Sequence, residues 1–391
     1  MKIIFDKKFI FNVMQIFSSY GIFIIFSILS QLYAVKFFSG EVSKLYLYLI
    51  AIYGWGSFLG EAGFSRYDVS TQNYDQSLLH KIYIKKFVCH CILIFLGCIF
   101  IFESFKILNI LGFVALLILF LFSSFFLPSN ILKKGFNKIT YLPNLIFVIS
   151  LFISFRYFSY GSLDINKILI INSICTAIIF FLLFIKINKK FSVNYKNINI
   201  LKFENKRIKN LSLVAYLGCG IGLCLFFLIS NLHENSAYLL FTRLSDGMNS
   251  IFALIALVCI KNNILKQWKN IIWLTTLSII SSLLLLFFML LLDKTIDLYG
   301  AMLPIFIYYT TQISGIFIAA TLSQYKKEKH FNILIKLNVI SLTLSLLILY
   351  LTKINLINTW QFNIYLYFLS FLNFIPLFIF SKISYKLSND K

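Results

Sequence analysis

Long apolar runs recur along almost the whole chain. A helix that crosses the hydrocarbon core of a bilayer needs about 20 consecutive, mostly apolar residues. Twelve runs meet this criterion: 9–34, 45–64, 87–104, 107–128, 141–159, 167–185, 211–232, 236–260, 271–292, 296–322, 333–352 and 359–381. The sequence therefore predicts an all-α integral membrane protein with about twelve transmembrane helices.

The composition supports a membrane protein and excludes a nucleic-acid partner. Hydrophobic residues make up 60% of the chain and charged residues only 13%, whereas soluble domains contain about 25% charged residues. The net charge of +22 is high enough to suggest nucleic-acid binding. The lysines, however, cluster in the short gaps between apolar runs, so we assign the charge to loops beside lipid head groups.

The distribution of positive charge predicts the orientation. One set of gaps, which includes both termini, contains 28 of the 36 Lys and Arg residues, and the alternate set contains seven. Cytoplasmic loops of membrane proteins carry the excess of Lys and Arg. Both termini are therefore predicted to be cytoplasmic, which requires an even number of spans and agrees with twelve. We read the first run as a retained span, since it is too long and too polar for a signal peptide.

The longest gap divides the predicted spans into two sets of six. It covers residues 186–210 and is strongly basic. A short internal sequence similarity agrees with a division into two halves, because ILSQL at 28–32 resembles LISNL at 228–232. We predict two six-helix bundles, 1–195 and 196–391.

Enzyme motifs and metal-binding motifs are absent from the sequence. There is no Walker A, G-x-S-x-G or H-E-x-x-H motif, and no predicted outward gap exceeds about 15 residues. The seven cysteines include no C-x-x-C pair. Cys89 and Cys91 flank His90, but neighbouring residues point to different faces of a helix. We predict a protein that is not an enzyme and that holds no metal or cofactor.

The eighth run contains polar residues on one helical face. In the stretch FTRLSDGMNS, residues 241–250, Arg243 and Asp246 lie three positions apart. Each such residue costs about 2.5–3.5 kcal/mol at the centre of a membrane helix. Six polar residues fall within about 160° of helical arc: Thr242, Arg243, Ser245, Asp246, Asn249 and Ser250. Two interpretations remain: the charges pair only with each other, or the face lines a hydrated cavity.

Other polar residues in or near the spans are further candidates for the cavity or for ion coupling. The first run has a polar stripe that reaches Gln31, and the tenth run contains YYTTQISG with Gln312, after Pro304. Lys36 and Arg156 lie near span ends. Each has a simpler explanation, because small polar residues also join helices and long basic side chains reach to the interface.

Glu61 lies in the sequence Glu61-Ala62-Gly63 near the predicted cytoplasmic end of the second span. Pairing with Arg66 or contact with water is the simpler reading. The alternative is that Glu61 or Asp246 takes part in coupling to a proton or sodium gradient, since acidic residues at membrane depth often act in ion pathways.

The whole pattern resembles the multidrug/oligosaccharidyl-lipid/polysaccharide (MOP) flippase superfamily. Within it, the stretch LYLYLIAIYGWGSFLGEAGFSRY at 45–67 is most similar to Wzx-type O-antigen flippases. Many polysaccharide flippases end the second helix with an acidic residue, one further residue and glycine, although aspartate is more usual than the glutamate found here. The likeness covers essentially the whole chain by architecture.

This resemblance implies two MATE-like bundles facing each other in a V. It implies a bacterial cytoplasmic-membrane protein that moves undecaprenyl-diphosphate-linked oligosaccharide to the outer leaflet for lipopolysaccharide or similar polymers. The polysaccharide polymerase machinery would be a partner besides the lipids. The substrate cavity would contain Arg243, Asp246, Asn249, Lys36, Arg156, Gln31 and Gln312. Two alternatives stay open: a multidrug or cation exporter of the same fold, and a membrane enzyme such as a polymerase.

The charge distribution generates a topological prediction. Single cysteines placed at Asn235 and at Asn194 are to be labelled in intact cells with a membrane-impermeant thiol reagent, in a background without native cysteines. We expect the probe at Asn235 to react and the probe at Asn194 to react only after cell lysis. Labelling at Asn194 in intact cells would reverse the predicted orientation.

Overall fold

The computed structural model describes about half of the chain. The described residues are 7–16, 22–37, 206–232, 236–262, 264–266, 268–292, 302–325 and 328–389, with isolated helical positions at 43, 47, 51, 66, 69, 88, 92, 149, 174 and 178. The chain divides into two compact units. One comprises 1–14, 66–71 and 206–391, and the other comprises 15–65 and 72–205.

Eight α-helices and one short 3₁₀ helix make up the described elements. The helices are α1 (Lys7–Ile16), α2 (Ile22–Phe37), α3 (Lys206–Leu232), α4 (Ser236–Lys261), α5 (Trp268–Leu292), α6 (Leu303–Tyr325), α7 (Glu328–Lys353) and α8 (Thr359–Asn389), and the 3₁₀ helix is Ile264–Lys266. Five of them are long and apolar enough to cross a membrane within the described part of the chain: Lys209–Leu232, Tyr238–Lys261, Asn270–Leu291, Leu303–Leu322 and Phe331–Lys353. The described chain is thus all-α and multi-pass.

Helices α3 to α8 lie close to the last six predicted runs. The largest difference concerns the run 359–381, because α8 continues to Asn389. The start of the run 296–322 is not compared, because residues 293–301 lie outside the described residues. Pro304 lies in the first described turn of α6. The twelve-span count, the cytoplasmic termini and the boundary at 195/196 stay predictions.

Helix α6 lies inside the larger unit and α5 lies at its periphery. Most side chains along α6 are buried, among them Ile305, Phe317 and Ala320. In α5, by contrast, Leu284 and Phe287 are more than half exposed. In a membrane protein such apolar exposure is compatible with lipid contact, so the larger unit has an inner helix that is shielded from its surroundings.

Helices α3 and α7 pack closely along their lengths. A buried cluster of Leu211, Ile318, Leu322, Phe331 and Leu334 joins α3, α6 and α7. One helical turn away, the Nδ2 atom of Asn338 donates to the backbone carbonyl of Val214 over 3.4 Å. Further along the pair, a Cβ atom added to Gly220 would lie 3.0 Å from Leu342 Cδ1. The missing side chain therefore permits the close approach, as small residues often do between membrane helices.

A short turn connects α7 to α8, with backbone hydrogen bonds at the end of α7 and side-chain caps at the start of α8. Asn355 takes a left-handed backbone conformation with φ of 57°, which asparagine tolerates better than most residues. Asn358 Oδ1 accepts from the Gln361 backbone N–H, and Gln361 Oε1 accepts from the Asn358 backbone N–H, each over 3.0 Å. This reciprocal capping box fixes the start of α8.

We expect Gly220→Leu to destabilise the protein because the new side chain meets Leu342. Overpacking of this kind costs about 1–3 kcal/mol. The matched control is Gly218→Leu on the same helix, since a Cβ atom there meets nothing within 4 Å. Thermal unfolding in detergent should show a lower midpoint for Gly220→Leu than for Gly218→Leu. Equal midpoints for the two variants would contradict close packing of α3 on α7.

Candidate functional site

The charged residues of α4 form an ion pair within one helical turn. Arg243 Nη1 lies 2.9 Å from Asp246 Oδ2. Arg243 is buried, with 7% of its side chain exposed, whereas 23% of Asp246 is exposed. The i, i+3 spacing places both groups on the same helical face. The carboxylate is therefore the more accessible member of the pair.

Mutual pairing was one of the two interpretations of the sequence, and the structure contains this pair. A charge at membrane depth is costly, and a partner of opposite sign offsets part of the cost. The pair is electrically neutral as a unit. Pairing is compatible with a role in binding, because an ion pair that is partly accessible can exchange one partner for a ligand. The assignment of Arg243 and Asp246 to a substrate cavity stays a prediction.

Two other polar residues of the α4 face bond to their own helix. The Thr242 hydroxyl donates to the Leu239 carbonyl over 2.7 Å, and the Ser250 hydroxyl donates to the Asp246 carbonyl over 2.9 Å. Such back-bonding is usual for Ser and Thr in helices. These contacts explain how small hydroxyl groups are accommodated in a membrane helix without any ligand.

Asn249 connects the polar face of α4 to α6. Its Nδ2 atom donates to Gln312 Oε1 over 3.2 Å. The Gln312 Nε2 atom in turn donates to the Tyr308 hydroxyl, one helical turn earlier on α6. Gln312 and Asn249 were both candidates from the sequence, and the structure brings them into contact. We call Asn249 and Gln312 the carboxamide pair.

Tyrosines extend this polar region into the bundle, and the sequence reasoning did not identify them. Tyr308 and Tyr309 are buried on α6, and their rings meet edge to face with centroids 5.3 Å apart. The only available signal was the sequence YYTTQISG, in which Tyr308 and Gln312 have the i, i+4 spacing that places side chains side by side.

Two more contacts join α8 to its neighbours. The Tyr365 hydroxyl on α8 hydrogen-bonds with the Ser345 hydroxyl on α7, and both residues are buried. The Asn373 Nδ2 atom on α8 donates to Thr311 Oγ1 on α6 over 3.4 Å. Polar contacts thus join α8 to both α6 and α7 and contribute to their relative register.

The remaining candidate site residues lie outside the polar region of α4 and α6. Gln31 and Lys36 lie on α2 in the second unit, where Gln31 is buried and Lys36 is exposed. The Lys36 Nζ atom lies 5.5 Å from the centroid of the Phe37 ring, a distance suited to a cation–π contact. Glu61 and Arg156 lie outside the described residues, and their predicted roles stay predictions.

A second polar cluster joins α1 to the end of α4. Lys261 Nζ donates to Asn12 Oδ1 over 3.0 Å, and Asn12 Nδ2 donates to Asn262 Oδ1 over 3.3 Å. Asn262 Nδ2 donates back to the Val258 carbonyl over 3.0 Å. Asn12 belongs to the polar stripe that the sequence placed on the first run. Its carboxamide is fully engaged in joining helices, which agrees with the simpler reading of that stripe.

Comparison with known proteins identifies the fold but no close relative. No protein-family model and no curated protein match the chain. Among solved structures, the chain is similar to a MOP superfamily transporter from Pyrococcus furiosus, with a TM-score of 0.53 and 10% sequence identity over 98% of this chain and 95% of the other. It is also similar to an outward-facing multidrug resistance MATE family transporter of the MOP superfamily, with a TM-score of 0.51 and 9% identity over 98% and 96% of the two chains.

These likenesses define the class of the protein by its fold. The chain has the fold of MOP superfamily transporters over nearly its whole length. Its described helices include five candidate membrane spans, so it is a multi-pass membrane protein. The sequence prediction of a MATE-like helical fold agrees with this result at that level. The narrower likeness to Wzx-type flippases stays a prediction.

The ion pair generates a prediction about stability. Arg243→Ala leaves Asp246 without its ionic partner, and we expect this to cost about 1–3 kcal/mol, less than for a fully buried pair because Asp246 is partly exposed. The double change of Arg243 and Asp246 to alanine removes both charges and should restore most of the loss. Unfolding midpoints in detergent and protein levels in the membrane measure both effects. A double variant as unstable as Arg243→Ala would show that the pair does not account for the loss.

Proposed function

We propose that the protein is a flippase for undecaprenyl-diphosphate-linked oligosaccharide in the bacterial cytoplasmic membrane. It would carry an O-antigen repeat unit or a similar polymer unit from the cytoplasmic to the outer leaflet. Support comes from the MOP-superfamily transporter fold together with the resemblance of residues 45–67 to polysaccharide flippases. The observation that carries the proposal is the Arg243–Asp246 pair inside a membrane helix, beside a row of uncharged hydrogen-bonding groups.

The chemistry of such a substrate explains why a transporter needs these groups. The head of a lipid-linked oligosaccharide is polar and anionic, so its passage through hydrocarbon is prohibitively costly without a polar path. The lipid tail is apolar and can remain in the bilayer throughout. A transporter therefore has to supply a cation for the diphosphate and hydrogen-bonding groups for the sugars.

Arg243 supplies the cation in this proposal. A guanidinium group is permanently charged and forks to two phosphate oxygens. Arg243 is bound to Asp246, and this pairing would prevent the site from holding small anions indiscriminately. The diphosphate would replace the carboxylate as the partner of Arg243. Asp246 is the more exposed member of the pair, so it is the group that an arriving substrate meets first.

The exposure of Asp246 also supports a second candidate function, the export of cations. An accessible carboxylate attracts cationic compounds, and one of the similar structures is a multidrug resistance MATE family transporter. The two candidates differ in which charge contacts the substrate. A flippase requires Arg243, whereas a cation exporter requires Asp246.

Loss of the gene tests the proposed function directly. We expect lipid-linked oligosaccharide to accumulate on the cytoplasmic face of the membrane, where it can be extracted and quantified. Arg243→Lys should restore part of the export, since lysine keeps the charge without the fork. The double change of Arg243 and Asp246 to alanine should leave a folded but inactive protein. Full export by that double variant would refute the role of Arg243.

The competing candidate has a separate readout. If the protein exports cations, cells without the gene become sensitive to a cationic dye such as ethidium, and Asp246→Asn fails to restore resistance. We expect no change in ethidium resistance on loss of the gene. The proposed coupling of transport to a proton or sodium gradient through Asp246 or Glu61 is tested in the same cells, by asking whether export continues after each gradient is collapsed.

A further inference from the structure

Two exposed apolar stripes of the larger unit meet at one turn. On α7, a candidate membrane span, the exposed large side chains recur at helical spacing up to Leu347 and Tyr350, and Ile354 continues the row just past the helix end. On α8 the exposed stripe begins with Trp360 and Ile364. A stripe of this kind is expected where a membrane helix contacts lipid. The turn between the two helices is therefore continuous with exposed apolar surface on both of its sides.

The turn itself exposes large apolar side chains. Leu356 is 64% exposed and Trp360 is 69% exposed, whereas turns that face water are usually polar. Only residues 354–358 separate α7 from α8, and the Leu356 N–H donates back to the Leu351 carbonyl over 3.0 Å. The headgroup layer of each leaflet is about 5–7 Å thick. A turn this short and this closely folded onto the helix end stays within that layer.

The backbone of the turn is suited to a layer that contains little free water. The N–H groups of Ile354, Asn355 and Leu356 donate to backbone carbonyls in the last turn of α7. The side chains of Asn358 and Gln361 cap the start of α8 reciprocally. Backbone groups that enter lipid must be satisfied within the protein. The turn can therefore reach the edge of the acyl layer without leaving these N–H groups unpaired.

Lys353 adds a positive charge to the same surface. It is the last residue of α7 and is exposed, three positions after Tyr350 and so on the same helical face. The sequence contains no Asp or Glu between Glu328 and Asp390, so neither α7 nor α8 offers a carboxylate near this end. The headgroup layer supplies phosphate as an anion, and basic residues at the membrane surface are attracted to anionic lipids.

We propose that the α7–α8 turn is a binding surface for an anionic phospholipid. Leu356 and Trp360 contact the headgroup end of the acyl chains, and Lys353 pairs with the lipid phosphate. Tryptophan and tyrosine suit this depth, because one part of the ring system is apolar and another part is polar. This inference goes beyond the proposed flippase function and does not rest on it, since it concerns contact with resident lipid and not transport.

Tryptophan fluorescence in vesicles tests the position of the turn. The chain has four tryptophans, and replacement of Trp55, Trp268 and Trp273 by phenylalanine leaves Trp360 as the single probe. The full chain is reconstituted in phosphatidylcholine vesicles whose acyl chains carry bromine at a shallow or a deep position. We expect the shallow bromines to quench Trp360 most strongly. Aqueous acrylamide should quench it several-fold less than it quenches a soluble tryptophan analogue.

Three results would overturn this position. Quenching by acrylamide as strong as for the soluble analogue places the turn in water. Protection from both acrylamide and bromine shows that a second copy of the chain covers Trp360. Strongest quenching by the deep bromines places the ring in the hydrocarbon core. If the triple variant does not fold, the unaltered protein is compared with Trp360→Phe, because the difference in quenching between them isolates the exposed Trp360 ring.

The choice of lipid tests the role of Lys353. Vesicles contain phosphatidylglycerol and phosphatidylcholine, and the bromine is placed on one lipid or on the other. One lysine near the surface should enrich the anionic lipid about 5-fold around Trp360. Lys353→Gln should abolish this preference, and Lys353→Arg should keep it. The matched control is Lys336→Gln, an exposed lysine nearer the other end of α7, which should leave the preference unchanged.

The lipid experiment can also contradict the proposal. A preference for phosphatidylglycerol that survives Lys353→Gln, or one that is lost in Lys336→Gln, refutes pairing of Lys353 with the phosphate. The diphosphate of the proposed transport substrate is the other source of this chemistry. If a small fraction of polyprenyl diphosphate displaces brominated phosphatidylglycerol from Trp360, the assignment to a resident phospholipid is wrong. These measurements involve no transport, so a protein that binds lipid here and moves no lipid-linked oligosaccharide refutes the proposed function alone.

Discussion

Every polar group inside a membrane helix needs a partner, and the larger unit of this protein is organised by that requirement. The hydrocarbon interior supplies no hydrogen bonds, so an unsatisfied group there costs several kcal/mol. The Arg243–Asp246 pair answers the requirement for charge, and the contacts with Asn249 and Tyr308 answer it for the Gln312 amide. The contact between Asn249 and Gln312 also joins α4 to α6, so it contributes to the register of these two helices.

Helix α6 is the element on which this arrangement depends. It is buried along most of its length and carries Gln312, Tyr308 and Thr311, each in contact with a polar partner. A buried helix with polar groups facing two neighbours resists rotation and sliding, since any shift breaks several hydrogen bonds at once. The peripheral helix α5 contacts the 3₁₀ helix through Asn270 near its start, and it exposes leucine and phenylalanine along much of its length. The larger unit therefore has a rigid interior and an apolar exterior.

Much of the fold was predictable from the sequence, because membrane helices are defined by length and hydropathy. The last six predicted runs agree with α3 to α8 to within a few residues at most ends. The start of the run 296–322 stays a prediction, since residues 293–301 lie outside the described residues. The pairing of Arg243 with Asp246 followed from their spacing on one helix. The contact of Asn249 with Gln312 did not follow from spacing. These two residues lie 63 positions apart on different helices, and no local sequence pattern encodes the packing that brings them together. Tyr308 was not identified from the sequence, because tyrosine also occurs commonly in apolar cores.

A transport site must release what it binds, and the chemistry of the proposed site favours transit over capture. Arg243 and Asp246 cancel in charge, and the carboxamide pair is uncharged, so the described polar face attracts neither anions nor cations strongly at rest. Each neutral hydrogen bond contributes only about 0.5–1.5 kcal/mol. A ligand that replaces an existing partner of one of these groups gains little net free energy. Binding must be this weak in a pathway with several sites, because a ligand that binds too tightly does not leave. Tight binding would instead need an unpaired cation in an apolar wall, whose desolvation the fold would have to offset. The paired arrangement avoids that cost.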